Sequence, residues 1–425
     1  MKKKILGLIS IILSVAFMLS ISACTPGETP TVTDSNSGTQ TPSESETDNP
    51  WAKPRITLEN KQVNVMLPWP EDHMFPVELK EMFKEAFDGE AIINTVPVSE
   101  TPSALVAQGM TGNVPDVVFG EPLTAVVLPM RDLVEPLENF INLEHPMWDS
   151  VRPISKQFAW EGKEYFAPVA INPYMDTIYN VRTIEDAGLE MPRDLYYKNE
   201  WTWDKFLEYA KILSDIPNNK FGAASPVWEA FLGSAGLDLI SVGEQGLINN
   251  ARSPEIARVM NFIGSFNSSE HNVLGDQNTF SEDFRNGNLA MVITVEWHKM
   301  ELWNDLWENG ELDFCPAPRD PQAEYHYEYM TCGGYMIPKG AKNPEGGAAF
   351  IITDKMYKAP EMQSEEQKER GVQTALARGY TMEDIELDRF RRANNVGMIQ
   401  LLPAIAPQVP YRSLWEPTII EGTPW

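Results

Sequence analysis

The sequence predicts an α/β protein made of two lobes. Its length of 425 residues is too great for one small domain, so two globular units or one large bilobal unit are expected. Hydrophobic residues make up 43% of the chain and include 12 tryptophans, which is enough apolar material for a substantial core. From residue 62 onward, strand and helix patterns alternate, as they do in a parallel sheet covered by helices.

The alternation begins with three strands separated by two helices. The predicted strands are residues 62–67, 91–98 and 115–119. The first helix follows from an apolar stripe at i, i+3, i+4, i+7 and i+8, formed by Leu79, Met82, Phe83, Ala86 and Phe87. Residues 101–109 supply the second helix. Because ligands of such sheets bind beyond the carboxyl ends of the strands, residues 68–72 and 120–122 are the first places to expect a site.

Later elements are indicated by capping residues and by one apolar run. Thr202 is placed to cap a helix over residues 203–214. Ser253-Pro254 predicts a second helix start, since proline at the first helical position sacrifices no hydrogen bond, and Asn343-Pro344 predicts a third, ending near residue 356. Residues 291–295 (MVITV) predict a buried strand that leads into Glu296-Trp297.

The N-terminal residues indicate export. Three lysines at positions 2–4 precede an apolar run over residues 5–21, which is typical of a secretory signal, although the run is also long enough for an uncleaved membrane anchor. The Ile-Ser-Ala-Cys sequence that ends at Cys24 resembles a bacterial lipobox. The resemblance implies removal of residues 1–23 and a diacylglyceryl lipid on Cys24. Residues 24–55 are rich in Ser, Thr and Pro and predict a disordered tether.

Composition and motifs argue against several function classes. A net charge of −27 is unfavourable for binding nucleic acid. The sequence has no phosphate-binding P-loop, dinucleotide fingerprint or GxSxG elbow, so we expect no cofactor and no ATP hydrolysis by this chain. Its five histidines are scattered without metal-ligand spacing, so we expect no metal. Cys315 and Cys332 are expected to be free core residues, with a disulfide between them as the alternative.

Several short motifs occur in an order that resembles a known family. Val114-Pro115-Asp116-Val117-Val118 is followed by Tyr165-Phe166-Ala167-Pro168-Val169 and by Trp201-Thr202-Trp203. Gly333-Gly334-Tyr335 then precedes Ile337-Pro338-Lys339. This order over residues 62–420 is similar to that of the extracellular solute-binding proteins of family 1, the sugar-receptor subunits of ATP-driven (ABC) importers.

The resemblance implies a two-lobed, periplasmic-binding-protein-like (type II) α/β fold with three crossings between the lobes. The crossings are expected near residues 169–173, 314–318 and 356–359. An N-terminal lobe would then comprise residues 56–168 and 319–355, and a C-terminal lobe residues 169–318 and 356–425. The implied partners are a carbohydrate, the transmembrane permease subunits and their separate ATPase subunits. The implied form is a lipid-anchored monomer on the outer face of a Gram-positive-like cell membrane.

Ten residues are predicted to hold the ligand, because sugars need aromatic platforms for their C–H faces and polar groups for their hydroxyls. Five aromatic residues resemble, by their positions in the sequence, the stacking residues of the family. They are Trp69, Trp228, Trp297, Tyr335 (after a Gly-Gly turn) and Trp415. The candidate hydroxyl-binding residues are Glu71, Glu121, Asn172, Tyr174 and Asp176. Trp303 and Trp307, at i and i+4, are expected in the core. A receptor for a peptide or another polar solute is the alternative, followed by an exported glycoside hydrolase, which would need two opposed carboxylates.

Overall fold

The computed structural model describes residues 58–70, 76–225, 229–243, 246–266, 273–276, 278–359 and 363–401. The strands are β1 (Gln62–Leu67), β2 (Glu90–Thr95), β3 (Val117–Gly120), β4 (Val134–Glu135), β5 (Ala167–Pro173), β6 (Met175–Asn180), β7 (Phe221–Ala224), β8 (Ile240–Gly243), β9 (Gly246–Asn249), β10 (Leu289–Val295), β11 (Leu312–Pro316), β12 (His326–Pro338) and β13 (Asn395–Met398).

The helices alternate with these strands through most of the chain. They are α1 (Val77–Phe87), α2 (Thr101–Thr111), α3 (Pro122–Met130), α4 (Arg152–Gln157), α5 (Val181–Asp186), α6 (Pro192–Tyr197), α7 (Trp203–Ile212), α8 (Glu229–Ser234), α9 (Pro254–Ser265), α10 (Phe280–Arg285), α11 (His298–Glu301), α12 (Asn304–Glu308), α13 (Pro344–Lys358), α14 (Glu365–Ala377) and α15 (Met382–Asn394).

Two sheets form the centres of two lobes. The first-lobe sheet has seven strands, with the order β13-β12-β3-β1-β2 and with β4 and β5 also paired to β12. In it, β1 runs parallel to β2 and to β3, as the alternating pattern predicts, whereas β12 is antiparallel to β3, β4 and β5. The second-lobe sheet has four strands in the order β11-β6-β10-β7. A small hairpin of β8 and β9 stands apart from both sheets.

Local sequence signals account for the elements that carry the site. Val63 and Val65 of β1 are buried at alternate positions, and helix α1 buries Leu79 and Phe83, one turn apart. All seven residues of β10 are buried, as expected for a strand covered on both faces. Thr202 caps α7 by accepting a hydrogen bond from the Lys205 amide at 3.3 Å, which confirms the predicted helix start.

The chain passes between the sheets at three places near those expected. The first passage lies between β5 and β6, at residues 173 and 174, and the second lies between β11 and β12. The third passage follows α13. That helix packs on the first-lobe core, whereas Tyr380 and Leu387, further along the chain, lie in the second-lobe core.

The end of the described chain differs from the expected lobe boundaries. Strand β13 returns to the first-lobe sheet and pairs in parallel with residues 326–329 of β12, whereas residues 356–425 were all predicted in the second lobe. The pairing covers a strand edge that would otherwise expose unpaired backbone groups. Cys315 and Cys332 are buried free thiols, in agreement with the favoured prediction.

Candidate functional site

The first-lobe side of the candidate site begins directly after β1. Trp69 is half-buried, and its ring meets that of Phe119 edge to face, with the centroids 5.8 Å apart. The Phe119 ring in turn lies over Gly333, where a Cβ atom would come within 2.5 Å of Phe119 Cζ. A glycine at position 333 therefore makes room for the ring that supports Trp69.

Glu121 follows β3 at the same edge of the sheet and immediately precedes α3. Its amide donates a hydrogen bond to Thr124 Oγ1 at 2.9 Å, which fixes the start of that helix. Burial raises the pKa of the Glu121 carboxyl, and no lysine or arginine in the described ranges forms an ion pair with it. A partly desolvated carboxylate of this kind is stabilised by hydrogen bonds from donors such as hydroxyl groups.

The strand register places Glu121 and Asn172 on opposite sides of β12. Gly120 pairs with Gly334, so Glu121 comes next to Gly333. On the other side of β12, Asn172 pairs with Thr331. Glu121 and Asn172 thus flank the stretch of β12 at residues 331–333, which lies near the first passage between the lobes.

Tyr174 lies in the first passage and is bonded to both sheets. Its amide donates to the Tyr329 carbonyl at 3.0 Å, and its carbonyl accepts from the Glu296 amide at 3.0 Å. Its ring contacts Tyr329 at a centroid distance of 5.0 Å and Trp297 at 5.2 Å. Tyr174 therefore connects β12 of the first-lobe sheet to the segment that carries Trp297.

Trp297 lies on the second-lobe side of the candidate site. It follows β10, whose last residue, Val295, pairs with Met175 next to the passage. The Trp297 side chain is half-buried and packs against the second-lobe core. The adjacent His298 lies 2.7 Å from Thr294 Oγ1 through Nδ1, and burial lowers the pKa of His298 to about 4. That imidazole is therefore neutral near pH 7.

Two of the predicted ligand-binding residues are buried elsewhere. Tyr335 is 0% exposed, because residues 333–335 lie inside the long strand β12 rather than after a turn, and its ring packs between Phe119 and Phe350. Asp176 is also 0% exposed, and its Oδ1 accepts a hydrogen bond from Arg391 at 2.9 Å. Neither side chain is placed to meet a ligand between the lobes.

The remaining predictions divide between the core and the undescribed part of the chain. Trp303 and Trp307 are buried in the second-lobe core, as predicted. Cys24, Glu71, Trp228 and Trp415 lie outside the described residues. Among the described residues, no group of three or more His, Cys, Asp or Glu side chains could hold a metal ion. No described helix combines the length and hydrophobicity needed to cross a membrane.

Sequence reasoning missed two features of the site. One is Phe119, which supports Trp69; its position at the end of an apolar strand was the available signal. The other is the ion pair between Glu296 and Lys299, with Nζ and Oε2 2.7 Å apart, which brackets Trp297. The spacing of an acid and a base at i and i+3, directly after a buried strand, was the signal for that pair.

The fold has two lobes, and Asn172, Tyr174 and Trp297 lie beside the first passage between them. The sequence matches the model of the bacterial extracellular solute-binding protein family over residues 78–372, well over half of the chain. The chain belongs to that family, whose members are binding proteins found outside the cell.

Solved structures of solute-binding proteins share the fold. An ABC substrate-binding protein from Listeria monocytogenes in complex with cycloalternan has 18% identity and a TM-score of 0.57, and the match covers 85% of this chain and 94% of that one. The cyclic α-maltosyl-1,6-maltose binding protein from Arthrobacter globiformis has 14% identity, a TM-score of 0.63 and coverages of 85% and 94%. An extracellular solute-binding protein from Staphylococcus aureus in complex with maltose has 11% identity, a TM-score of 0.61 and coverages of 85% and 91%. No curated protein sequence matches this chain.

Proposed function

We propose that this protein is the lipid-anchored, extracellular substrate-binding subunit of an ABC importer, that it captures a carbohydrate between its lobes, and that an oligosaccharide is its natural ligand. The observation that carries the proposal is the pair of half-buried tryptophans, Trp69 and Trp297, one on each lobe and each two residues after the end of a sheet strand. Glu121 after β3, Asn172 in β5 and Tyr174 in the first passage would complete the proposed site.

The chemistry of these side chains suits a sugar. A pyranose presents apolar C–H faces, which pack on aromatic rings, and a rim of hydroxyls, which hydrogen-bond to carboxylate, amide and phenol groups. Glu121 and Asn172 offer acceptors, and Asn172 and Tyr174 offer donors. Glu71, Trp228 and Trp415 remain part of the proposed site by their positions in the sequence. The carbohydrates that the three structural neighbours are named for or were solved with support the same class of ligand.

We propose binding without turnover. Hydrolysis of a glycosidic bond generally requires two carboxyl groups on opposite sides of the bond. Of the predicted acidic residues that the structure describes, Glu121 belongs to the proposed site, whereas Asp176 is buried and paired with Arg391. The protein would then deliver its ligand unchanged to the transmembrane permease, while separate subunits hydrolyse ATP.

A ligand screen tests this function. Thermal unfolding would be followed with a panel of maltose, maltotetraose, cycloalternan, mannotriose and several di- and tripeptides. We expect one or more oligosaccharides to raise the melting temperature and to be recovered intact after prolonged incubation. Stabilisation by the peptides alone would favour the receptor for another polar solute, and release of shorter sugars would show a glycoside hydrolase.

The anchoring part of the proposal has a separate test. In cells, Cys24→Ala should leave an unprocessed precursor that takes up no labelled fatty acid, because the thiol that would form the thioether is gone. Cys315→Ala serves as the control, since that buried thiol lies in the folded domain. Normal processing and lipid labelling of Cys24→Ala would exclude the lipoprotein assignment and leave the ligand proposal untouched.

A further inference from the structure

Five charged side chains form a buried, connected group that includes the neighbours of Trp297 in sequence. This buried charge network consists of Asp176, Glu296, Lys299, Glu328 and Arg391. Each of the five is at most 5% exposed. Burying so many charges is unfavourable unless each is paired, and even a well-paired buried group is a poor source of stability compared with apolar packing. Their presence here calls for a role other than stability.

Lys299 closes the segment that carries Trp297 into a short loop. Its Nζ donates hydrogen bonds to Glu296 Oε2 and to the Glu296 carbonyl, both at 2.7 Å. The same Nζ lies 3.6 Å from Asp176 Oδ2. Glu296 precedes Trp297 and Lys299 follows two residues later, so the backbone on both sides of the tryptophan is held by one ammonium group.

Aromatic rings confine the same ammonium group. Lys299 Nζ lies 4.2 Å from the ring centroid of Phe314, 5.6 Å from that of Tyr380 and 6.0 Å from that of Trp307. Cation–π attraction favours this placement, and the lysine is only 1% exposed. The ammonium group is therefore a fixed point of the second lobe.

The other end of the network reaches the strands that pass between the lobes. Arg391 of α15 donates to Asp176 on β6, just after the first passage, and forms an ion pair with Glu328 on β12, just after the second. Asn395, the first residue of β13, donates to Glu328 Oε2 at 2.8 Å. The network thus joins the Trp297 loop to β6 of the second-lobe sheet and to β12 and β13 of the first-lobe sheet, and these two sheets move relative to each other if the lobes close.

We infer that Lys299 is a positioning residue for the ligand site: through Glu296 and Asp176 it holds Trp297 against Tyr174 in the unliganded protein and couples the position of its ring to the hinge. The ligand contact at Trp297 rests on the function proposed above. A ring that is already in place loses less conformational entropy when a sugar stacks on it, so affinity depends on Lys299 although this lysine touches no ligand.

The test measures the position of Trp297 directly and without ligand. The protein would be labelled with 5-fluorotryptophan, and the ¹⁹F resonance of Trp297 would be assigned with Trp297→Phe. In Lys299→Met we expect that resonance to shift and broaden, and the affinity for maltotetraose to fall about tenfold. The Glu296→Gln/Lys299→Met double variant leaves no unpaired charge between these two residues, and we expect it to fold well and still show the altered resonance.

Lys355→Met is the matched control. Lys355 is also buried, at 2% exposure, and lies near an aromatic ring, 5.9 Å from the centroid of Trp148, but it belongs to α13 of the first lobe. The Lys355→Met variant should lower the melting temperature as Lys299→Met does. It should leave the Trp297 resonance and the affinity for maltotetraose unchanged.

Two results separate the inference from the proposed function. An unchanged Trp297 resonance in both Lys299 variants, despite a lower melting temperature, would overturn the positioning role and leave the network merely structural. Failure of the wild-type protein to bind maltotetraose or any other sugar of the panel would count against the proposed function, while the ¹⁹F spectra of the unliganded variants would still decide the role of Lys299.

Discussion

At the scale of single residues, two tryptophans six positions apart are predicted to behave differently. Trp297 is half-buried at the proposed site, whereas Trp303 is 0% exposed and donates from Nε1 to the Ser281 carbonyl at 3.0 Å. We expect Trp297→Ala to weaken oligosaccharide binding by about 1–3 kcal/mol, the value of one aromatic contact, with little change in melting temperature. Calorimetric titration and thermal unfolding measure the two quantities.

Trp303→Ala is the contrasting variant. It removes a large side chain from the second-lobe core, where its ring lies 4.6 Å from that of Phe284, and we expect it to lower the free energy of unfolding by about 3–5 kcal/mol. Equal affinity in Trp297→Ala and in the wild-type protein would show that the site has been placed wrongly on the second lobe.

A pair of glycines gives a second prediction at this scale. Alanine at position 333 would place its Cβ 2.5 Å from Phe119 Cζ, so Gly333→Ala should displace the ring that supports Trp69 and destabilise the protein by about 1–3 kcal/mol. Gly109 lies in α2, and a Cβ atom at this position would have no neighbour within 4 Å. Gly109→Ala should therefore stabilise the protein by roughly 0.5–1 kcal/mol. Chemical denaturation of both variants checks the opposite signs.

At the scale of elements, the strands that the sequence predicted best are those with simple patterns. Strand β1 buries Val63 and Val65 at alternate positions, and β10 is apolar throughout, so neither prediction required knowledge of a partner strand. The fate of Tyr335 could not be predicted in this way. Residues 333 and 334 suggested a turn, but both glycines lie within the 13-residue strand β12, where they make room for Phe119 and for the Ala167 carbonyl.

The role of Asp176 illustrates the same limit. Its position after the first passage was predicted correctly, but its side chain meets Arg391, which is 215 residues further along the chain. No local pattern reports a partner at that distance. Two polar residues of the proposed site, Glu121 and Asn172, lie at the carboxyl ends of first-lobe strands, which is the position that the general rule for such sheets favours.

The start of β12 is predicted to be sensitive to acid. His326 donates from Nε2 to the Ala317 carbonyl at 3.2 Å, and burial lowers its pKa to about 4, from an ordinary value of 6.5. Since the unfolded chain takes up the proton first, the free energy of unfolding should fall as the pH drops from about 6.5 towards 4, by roughly 1–3 kcal/mol from this residue.

His326→Gln separates this contribution from the other titrating groups. The glutamine amide can replace the hydrogen bond to Ala317 but takes up no proton. Urea denaturation at pH 7.5 and at pH 4.5 would be compared for both proteins, and the difference between the two pH values should be smaller in the variant. An identical pH dependence in both proteins would show that His326 is not held neutral by the fold.

At the scale of the whole molecule, the lobes are linked by chain passages and by both exposed and buried contacts. One side-chain link is the ion pair between Glu78 of α1 and Arg370 of α14, with Oε1 and Nη1 2.6 Å apart and the side chains 45% and 53% exposed. Exposed pairs of this kind contribute about 0–1 kcal/mol. Buried links surround Tyr174 and Arg391 at the passages, and we expect the lobes to rotate about that region.

This arrangement predicts that ligand binding closes the lobes and stabilises the protein together. A sugar can pack against both Trp69 and Trp297 only when the two lobes approach each other. This closure reduces the radius of gyration of the protein. At a ligand concentration of 100 times Kd, mass action adds about 2.7 kcal/mol to the free energy of unfolding. Small-angle scattering and thermal unfolding on the same samples test both effects, with Trp297→Ala at the same sugar concentration as the control. Saturation of the wild-type protein without compaction would show that the ligand occupies one lobe alone.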